Sequence, residues 1–320
     1  MKKTPFIIAE IGSNHNQDFE TALKLIDIAK NSGANAVKFQ IFKAKELYPK
    51  NIKFQKIFKK YEFKLSWYNK LKKYCKKRKI ILFASTFGIS STNFLMKQNA
   101  PIIKWASSEL TKTRELFHAA SFNKPMIIST GMADLAEVFE AVEICKAAGN
   151  KKISLLHSRS LYPTDSTEVD ILAIRSLKNI FKCPVGFSDH TIGLTGSIMA
   201  VALGATIFEK HITLNKKDKG PDHFYDMEPE EFNEYVKKIK ESFKMLGSEN
   251  INFIEKIKLQ ARKKSYFFNS NFPKGKIIKK KNIKLKDNAL GLPERFISSI
   301  IGAKLKKKVK KDQPVVWNLF

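Results

Sequence analysis

Two histidines at the ends of apolar, β-branched runs carry the sharpest chemical signal in this chain of 320 residues. His190 closes PVGFSDH (184–190), and His211 lies near the end of TIFEKHIT (206–213). Imidazole suits Mn, Zn and Fe. A site with only two protein nitrogens leaves positions for water and substrate oxygens, as a catalytic metal needs. The plainer alternative is a pair of histidines hydrogen-bonded to their neighbours. Asp222, in a Gly-Pro-Asp loop eleven residues after His211, adds a carboxylate able to reach the same place.

Lys38 and Lys104 are the second signal. Each sits inside a run apolar enough to be buried, AVKFQIF (36–42) and PIIKWAS (101–107), where an unpaired ammonium is costly. Period-two alternation puts Lys38 with Gln40, Ser107 with Glu109 and Ser188 with His190 on shared faces. Cations and hydroxyls then converge on an anionic ligand, a phosphate or a carboxylate, with a permanent ion pair to Glu10 or Glu209 as the competing reading. Glu10, followed by Asn14, His15 and Asn16, brings a further carboxylate suited to handling protons or sugar hydroxyls.

Eight such runs can be read from the chain: 6–12, 36–42, 81–86, 101–107, 125–130, 153–159, 184–190 and 206–213. Segments of helical period lie between them, among them 19–34, 135–149 and 169–181, and 228–246 follows the last. Eight β/α alternations over about 245 residues match a (β/α)8 TIM barrel better than a doubly wound sheet. Polar residues gather at the carboxyl ends of the runs, where barrel enzymes build their sites: Glu10, Lys38, Gln40, Thr86, Lys104, Ser107, Ser129, His190, His211. Past residue 247 the pattern changes to short strands with lysine-rich turns. The expected domains are a barrel over 1–250, a linker over 251–261 and a small β-rich module over 262–320.

Composition narrows the class. The formal net charge is +29, and residues 251–320 hold 19 Lys+Arg against 4 Asp+Glu. Runs such as Lys279–Lys281 and Lys306–Lys308 read as solvated faces and not as a nucleic-acid reader. No apolar run approaches the roughly 20 residues that span a bilayer, and the first residues lead straight into a strand, so a cytoplasmic address is expected. Cys75, Cys145 and Cys183 are too scattered for a disulfide framework or a Cys-based zinc site.

These residues together resemble the N-acetylneuraminate (sialic acid) synthase family, including its legionaminic and pseudaminic acid branches. The resemblance runs nearly full length, through AEIGSNHN (9–16), GANAVKFQ (33–40), KWASSE (104–109), IISTGM (127–132), LLHSRSLYPT (155–164), VGFSDHTIG (185–193), GATIFEKHIT (204–213) and GPDHFYDMEPEEF (220–232). It implies condensation of phosphoenolpyruvate with the open-chain aldehyde of an N-acetylated amino sugar, giving a nonulosonic acid and phosphate. It also implies that His190 and His211 hold a divalent metal, Mn or Mg. Lys38, Thr86, Lys104, Ser107, Ser129 and Ser188 then bind phosphoenolpyruvate. Glu109 stands near the carbon undergoing addition, and Glu10, Gln40, Tyr162 and Asp222 serve the sugar or its protons. The tail resembles an antifreeze-like (SAF) domain, which the family places over a partner's barrel mouth in a domain-swapped homodimer. Other readings are a different metal-dependent phosphoenolpyruvate synthase or aldolase of the barrel class, and a polyanion-binding protein.

The chain departs from the family in several places. Gln17 follows the NHN tripeptide where glycine is common, Ser158-Arg159 replaces Cys-Thr, and Thr86-Phe87-Gly88 replaces Thr-Pro-Phe. Lys286-Asp287-Asn288-Ala289 stands where the antifreeze-like domain carries Arg-Pro-Gly, leaving Lys286 or Arg295 to reach the sugar's acetamido group, or a different sugar to be used.

Overall fold

The computed structural model of the chain describes residues 4–247, 249 and 263–320. The chain divides into two compact units, Met1–Gly247 and Ser248–Phe320. The expected linker over 251–261 lies outside the described residues.

The first unit holds eight strands: β1 (Phe6–Gly12), β2 (Ala36–Ile41), β3 (Ile81–Thr86), β4 (Ile103–Trp105), β5 (Met126–Ser129), β6 (Ile153–Ser158), β7 (Val185–Asp189) and β8 (Ile207–His211). They pair in parallel and in chain order, and β8 returns to β1, closing the expected TIM barrel. Local chemistry starts and stops the surrounding helices. Asp18 caps Phe19–Ser32 by accepting from Thr21 N, and Gly33 ends it at φ 87°. Asp134 and Glu137 form a capping box on Leu135–Ala147, and Pro229 opens Pro229–Met245 at its first turn. The inner faces of these helices, such as Ala22, Leu25, Ile26 and Ala29, join the outer residues of the strands in the main core.

Inside the barrel, alternation sorts side chains into levels. Ile8, Ala36, Phe83, Ile127, Leu156 and Ile207 form a buried apolar plug. Two residues further along each of those strands the same inward direction yields Glu10, Lys38, Ser85, Ser129, Ser158 and Glu209, joined by Lys104 on β4 and Ser188 on β7. All eight are buried. The sequence change from apolar to polar over one step of the pleat is what converts a plug into the floor of a site.

One strand is shorter than its apolar run suggests. β4 ends at Trp105 because the chain turns into a 3₁₀ segment, Ser107–Glu109. Glu109 N donates to Ala106 O at 3.0 Å, and Trp105 Nε1 donates to Glu109 O at 2.9 Å, so strand alternation stops there.

In the second unit β9 (Lys264–Phe268) pairs antiparallel with β10 (Ile283–Asp287) over a small core that includes Tyr266, Phe268, Ile278, Ile300, Leu305 and Val315. Asp312 is clamped by Lys284 at 2.9 Å and Lys286 at 2.7 Å, which hold its carboxyl down at about 2 through hydrogen bonds and charge.

Candidate active site

At the carboxyl end of the barrel lies a cavity of about 360 Å³. Its floor is the polar level just described, a ring of two cations, two carboxylates and four hydroxyls. Lys38 Nζ lies 3.0 Å from Glu10 Oε2 and 3.4 Å from Glu209 Oε2, and donates to Ser85 Oγ at 2.8 Å. Lys104 Nζ donates to Ser129 Oγ at 2.6 Å and lies 3.8 Å from Glu209 Oε1. Ser188 Oγ donates to Glu209 Oε1 at 2.8 Å.

The neighbours divide the titrations. Burial pushes Lys104 down to about 8, because one carboxylate at 3.8 Å is too little compensation. Burial also opposes the charge of Lys38, but Glu10 and Glu209 outweigh it and raise this lysine. Against its own burial, Glu209 is held at about 2 by Lys104 and Lys38. Burial raises Glu10, more than the shared Lys38, His211 and the hydrogen bond from Gln40 offset, and the nearby Glu209 adds to the rise. Glu10 is therefore the carboxylate of the floor most ready to take a proton.

One step higher stand Gln40, Phe87, Ala106, Ser160, His190 and His211, all lining the cavity. Two positions of this ring are glycine. Gly12, at φ +53°, would place a Cβ 3.3 Å from both Gln40 Nε2 and Glu10 Oε1 and 3.6 Å from Asp222 Oδ2. A Cβ on Gly131 would meet the hydroxyls of Ser160 at 2.6 Å and of Ser107 and Ser158 at 2.9 Å. Gly131 N donates instead to Ser107 Oγ at 3.0 Å. Thus Glu10, Gln40 and Asp222 meet at one glycine, and three serines meet at the other. Burial raises Asp222 from its ordinary value, with His211 pulling the other way.

The two histidines have ring centroids 5.4 Å apart, with Tyr162 over His190 at 4.2 Å. His190 Nδ1 meets Arg159 O at 2.5 Å. A carbonyl only accepts, so Nδ1 carries the proton and Nε2 keeps its lone pair. Burial and the neighbouring His211 press His190 down to about 3, which keeps it neutral. Burial also disfavours the cation of His211, but Asp226 and the other acids outweigh it and lift His211 to about 9. A metal at His211 therefore displaces a proton. Among the described residues no cluster of three or more His, Cys, Asp or Glu is placed to hold a metal ion. His190 and His211 are the imidazoles that line the cavity, and their nitrogens are donors of a kind that fits a divalent ion.

The structure brings most of the expected residues together: Lys38, Gln40, Lys104, Ser107, Ser129, Tyr162, Ser188, His190, His211 and Asp222 line the cavity, and Glu10 lies beneath Gln40, accepting its Nε2 at 2.8 Å. Two expectations are corrected. Thr86 is buried on the other face of β3, outside the lining, and Ser85 takes the inward position, because a shift of one residue reverses the face. Glu109 does not share a strand face with Ser107. Its carboxylate sits on the 3₁₀ turn, 2.7 Å from Lys112 Nζ and accepting from Ser108 at 3.3 Å, outside the lining. Ser85, Ser158 and Ser160 line the cavity without having been expected as site residues. The i+2 spacing from the apolar plug is the signal that locates the first two. The lysines also have both competing partners, Glu10 and Glu209, so their burial does not by itself demand a ligand anion.

Comparison with known proteins adds the family. The profile described as the NeuB family matches residues 25–251. The N,N'-diacetyllegionaminic acid synthase of Campylobacter jejuni is 37% identical over 331 residues, covering 98% of this chain and 99% of that protein. The human N-acetylneuraminate-9-phosphate synthase is 30% identical, covering 98% and 92%. Among solved structures, the N-acetylneuraminic acid (sialic acid) synthetase of Leptospira borgpetersenii serovar Hardjo-bovis, crystallised with citrate, is 34% identical at a TM-score of 0.75, over 78% of this chain and 88% of that one. A barrel whose floor pairs two buried lysines with two glutamates beneath two facing histidines, matched over most of its length by this profile, places the chain in the NeuB family.

Proposed function

We propose that this chain is a synthase that condenses phosphoenolpyruvate with the open-chain aldehyde of an N-acetylated amino sugar, N-acetylmannosamine or a 2,4-diacetamido relative. Carbon 3 of phosphoenolpyruvate bonds to the aldehyde carbon, water adds at carbon 2, and phosphate leaves with the bridging oxygen, giving a nonulosonic acid. The observation that carries this reading is the stacking of two levels: Lys38 and Lys104 in the floor, His190 and His211 directly above.

Phosphoenolpyruvate carries a carboxylate and a phosphate, and the floor offers two ammonium groups with the hydroxyls of Ser85, Ser129 and Ser188 beside them. Both lysines already contact Glu209, so the substrate binds by exchanging partners with that carboxylate, while Ser107, its oxygen held by the amide of Gly131, presents its hydroxyl proton from above. Glu10, Gln40 and Asp222 face the sugar side around Gly12, where a carboxylate of raised pKa can take or return a hydroxyl proton. Tyr162 covers the histidines from solvent on one side. A part for Glu109 at carbon 2 requires its release from Lys112. A divalent ion, Mn or Mg, held by His190 and His211 supplies Lewis-acid polarisation of the aldehyde oxygen.

We read the second unit as an antifreeze-like (SAF) module covering a partner's barrel mouth in a domain-swapped homodimer, a reading supported by the sequence resemblance. No helix among the described residues is long and apolar enough to cross a membrane. Use of phosphoenolpyruvate, a cytosolic metabolite, supports a cytoplasmic setting. The deciding assay is phosphate release from phosphoenolpyruvate across a panel of acetamido sugars, with Mn or with EDTA, and the product mass measured. Metal-dependent release with at least one sugar is expected. Absence of turnover with every sugar overturns the reading.

A further inference from the structure

Beside this site lies a buried carboxylate that the reaction scheme leaves without a part. Asp226, in the loop after β8, is 1% exposed. Its Oδ2 stands 3.6 Å from His211 Nδ1 and accepts from Asn14 Nδ2 at 2.5 Å. Asn14, equally buried in the loop after β1, also donates to Ile212 O at 2.9 Å. Asp226 Oδ1 has no hydrogen-bond partner among the described residues.

The two facing imidazoles are thus backed differently. His190 Nδ1 is hydrogen-bonded to a neutral carbonyl, Arg159 O, whereas His211 Nδ1 is without a hydrogen bond among the described residues and faces the Asp226 carboxylate at ion-pair distance. A carboxylate behind an imidazole keeps the proton on Nδ1, fixes the ring's rotation and makes Nε2 the stronger donor. Burying a carboxylate with one oxygen unpaired is costly, and Nδ1 of the His211 ring, itself without a hydrogen-bond partner among the described residues, is a donor within ion-pair reach. We propose that Asp226, held in place by Asn14, is a positioning residue for His211 that makes this histidine the stronger of the two metal ligands. The inference rests on the reading of His190 and His211 as the metal pair. Asn14 joins the β1 loop to this assembly, so the loop carrying the NHN tripeptide bears on the metal without touching it.

A purely structural Asp226 would tie the β1 and β8 loops together and no more. Asp226→Asn separates the two roles, because an amide oxygen still accepts from Asn14 but brings no charge to His211. The test titrates Mn²⁺ into the metal-free full-length protein and reads free Mn²⁺ by electron paramagnetic resonance. Asp226→Asn is expected to weaken Mn²⁺ binding roughly 10- to 100-fold with the thermal midpoint of the metal-free protein little changed. Asn14→Ser, which frees the carboxylate without removing it, is expected to weaken it severalfold. Affinity within twofold of wild type in folded Asp226→Asn overturns the proposal. If that variant does not fold, the same threshold applied to Asn14→Ser decides. A wild-type protein that binds no Mn²⁺ overturns the metal reading, and this inference with it.

Discussion

Lys104 Nζ stands 3.8 Å from Glu209 Oε1, a contact that crosses the bore of the barrel from β4 to the strand opposite, β8. The same carboxylate reaches Lys38 at 3.4 Å, so one side chain is shared between both cations of the floor. Glu209→Gln leaves Lys104 without the carboxylate that faces it. Loss of a partner from a buried ion pair costs about 3–5 kcal/mol, which a urea melt should register. Inorganic phosphate should restore more stability to this variant than to wild type, because the freed lysines then hold the anion alone.

The pH profile follows from Lys104. Its proton is lost near pH 8 in the native protein against about 10.5 when unfolded. Below 8 the ammonium is present to meet the substrate anion, so kcat/KM for phosphoenolpyruvate should be level there and fall about tenfold per pH unit above it. Stability should move the other way. Between 8 and about 10.5 the unfolded chain binds a proton at this group that the native chain has lost, so folding releases a proton and the fold gains stability as pH rises through that window. Initial rates at low phosphoenolpyruvate and urea melts across pH 7–10 check both directions.

Outside the barrel wall, immediately before each histidine, Asp189 and Lys210 form a buried pair at 3.3 Å. Lys210 also donates to Thr191 O at 2.5 Å, and Ser197 donates to Asp189 at 2.6 Å. Lys210→Met strands the carboxylate, with an expected loss of about 3–5 kcal/mol. Adding Asp189→Asn should recover a good part of it, since an amide oxygen still accepts from Thr191 and carries no charge to compensate. Denaturant midpoints of the single and double variants measure the difference.

His190→Ala and His211→Ala should each lower turnover by more than about 100-fold, beyond what loss of an orienting neighbour costs a metal site. Far-ultraviolet circular dichroism should be unchanged, because both side chains face the cavity and not the core. Near wild-type turnover in either variant contradicts the ligand assignment.

The barrel was legible in the chain because its eight apolar runs differ in kind from the helical segments between them, and the plug and floor follow from period two alone. Where the period holds, as from Ala36 to Lys38 or from Ile207 to Glu209, position in the sequence predicts direction in space. Thr86 shows how sharp this rule is: the neighbour one place earlier, Ser85, has the inward face. Glu109 shows where it fails, at a 3₁₀ turn begun by the hydrogen bond from Glu109 N to Ala106 O, which no apolar pattern announces. Asp226 was hidden for another reason. It acts at His211 from a loop, and its partner Asn14 is 212 residues away, so only the closed barrel brings them together.

Gly12 and Gly131 belong to β1 and the end of β5, on opposite sides of the barrel. Each leaves the upper ring without a side chain at its own position, and neighbouring polar groups close in on both. Around the first stand Glu10, Gln40 and Asp222, and around the second the hydroxyls of Ser107, Ser158 and Ser160. The rim of the cavity is therefore two-faced: carboxylates able to exchange protons stand on one side, and hydroxyls alone face them from the other.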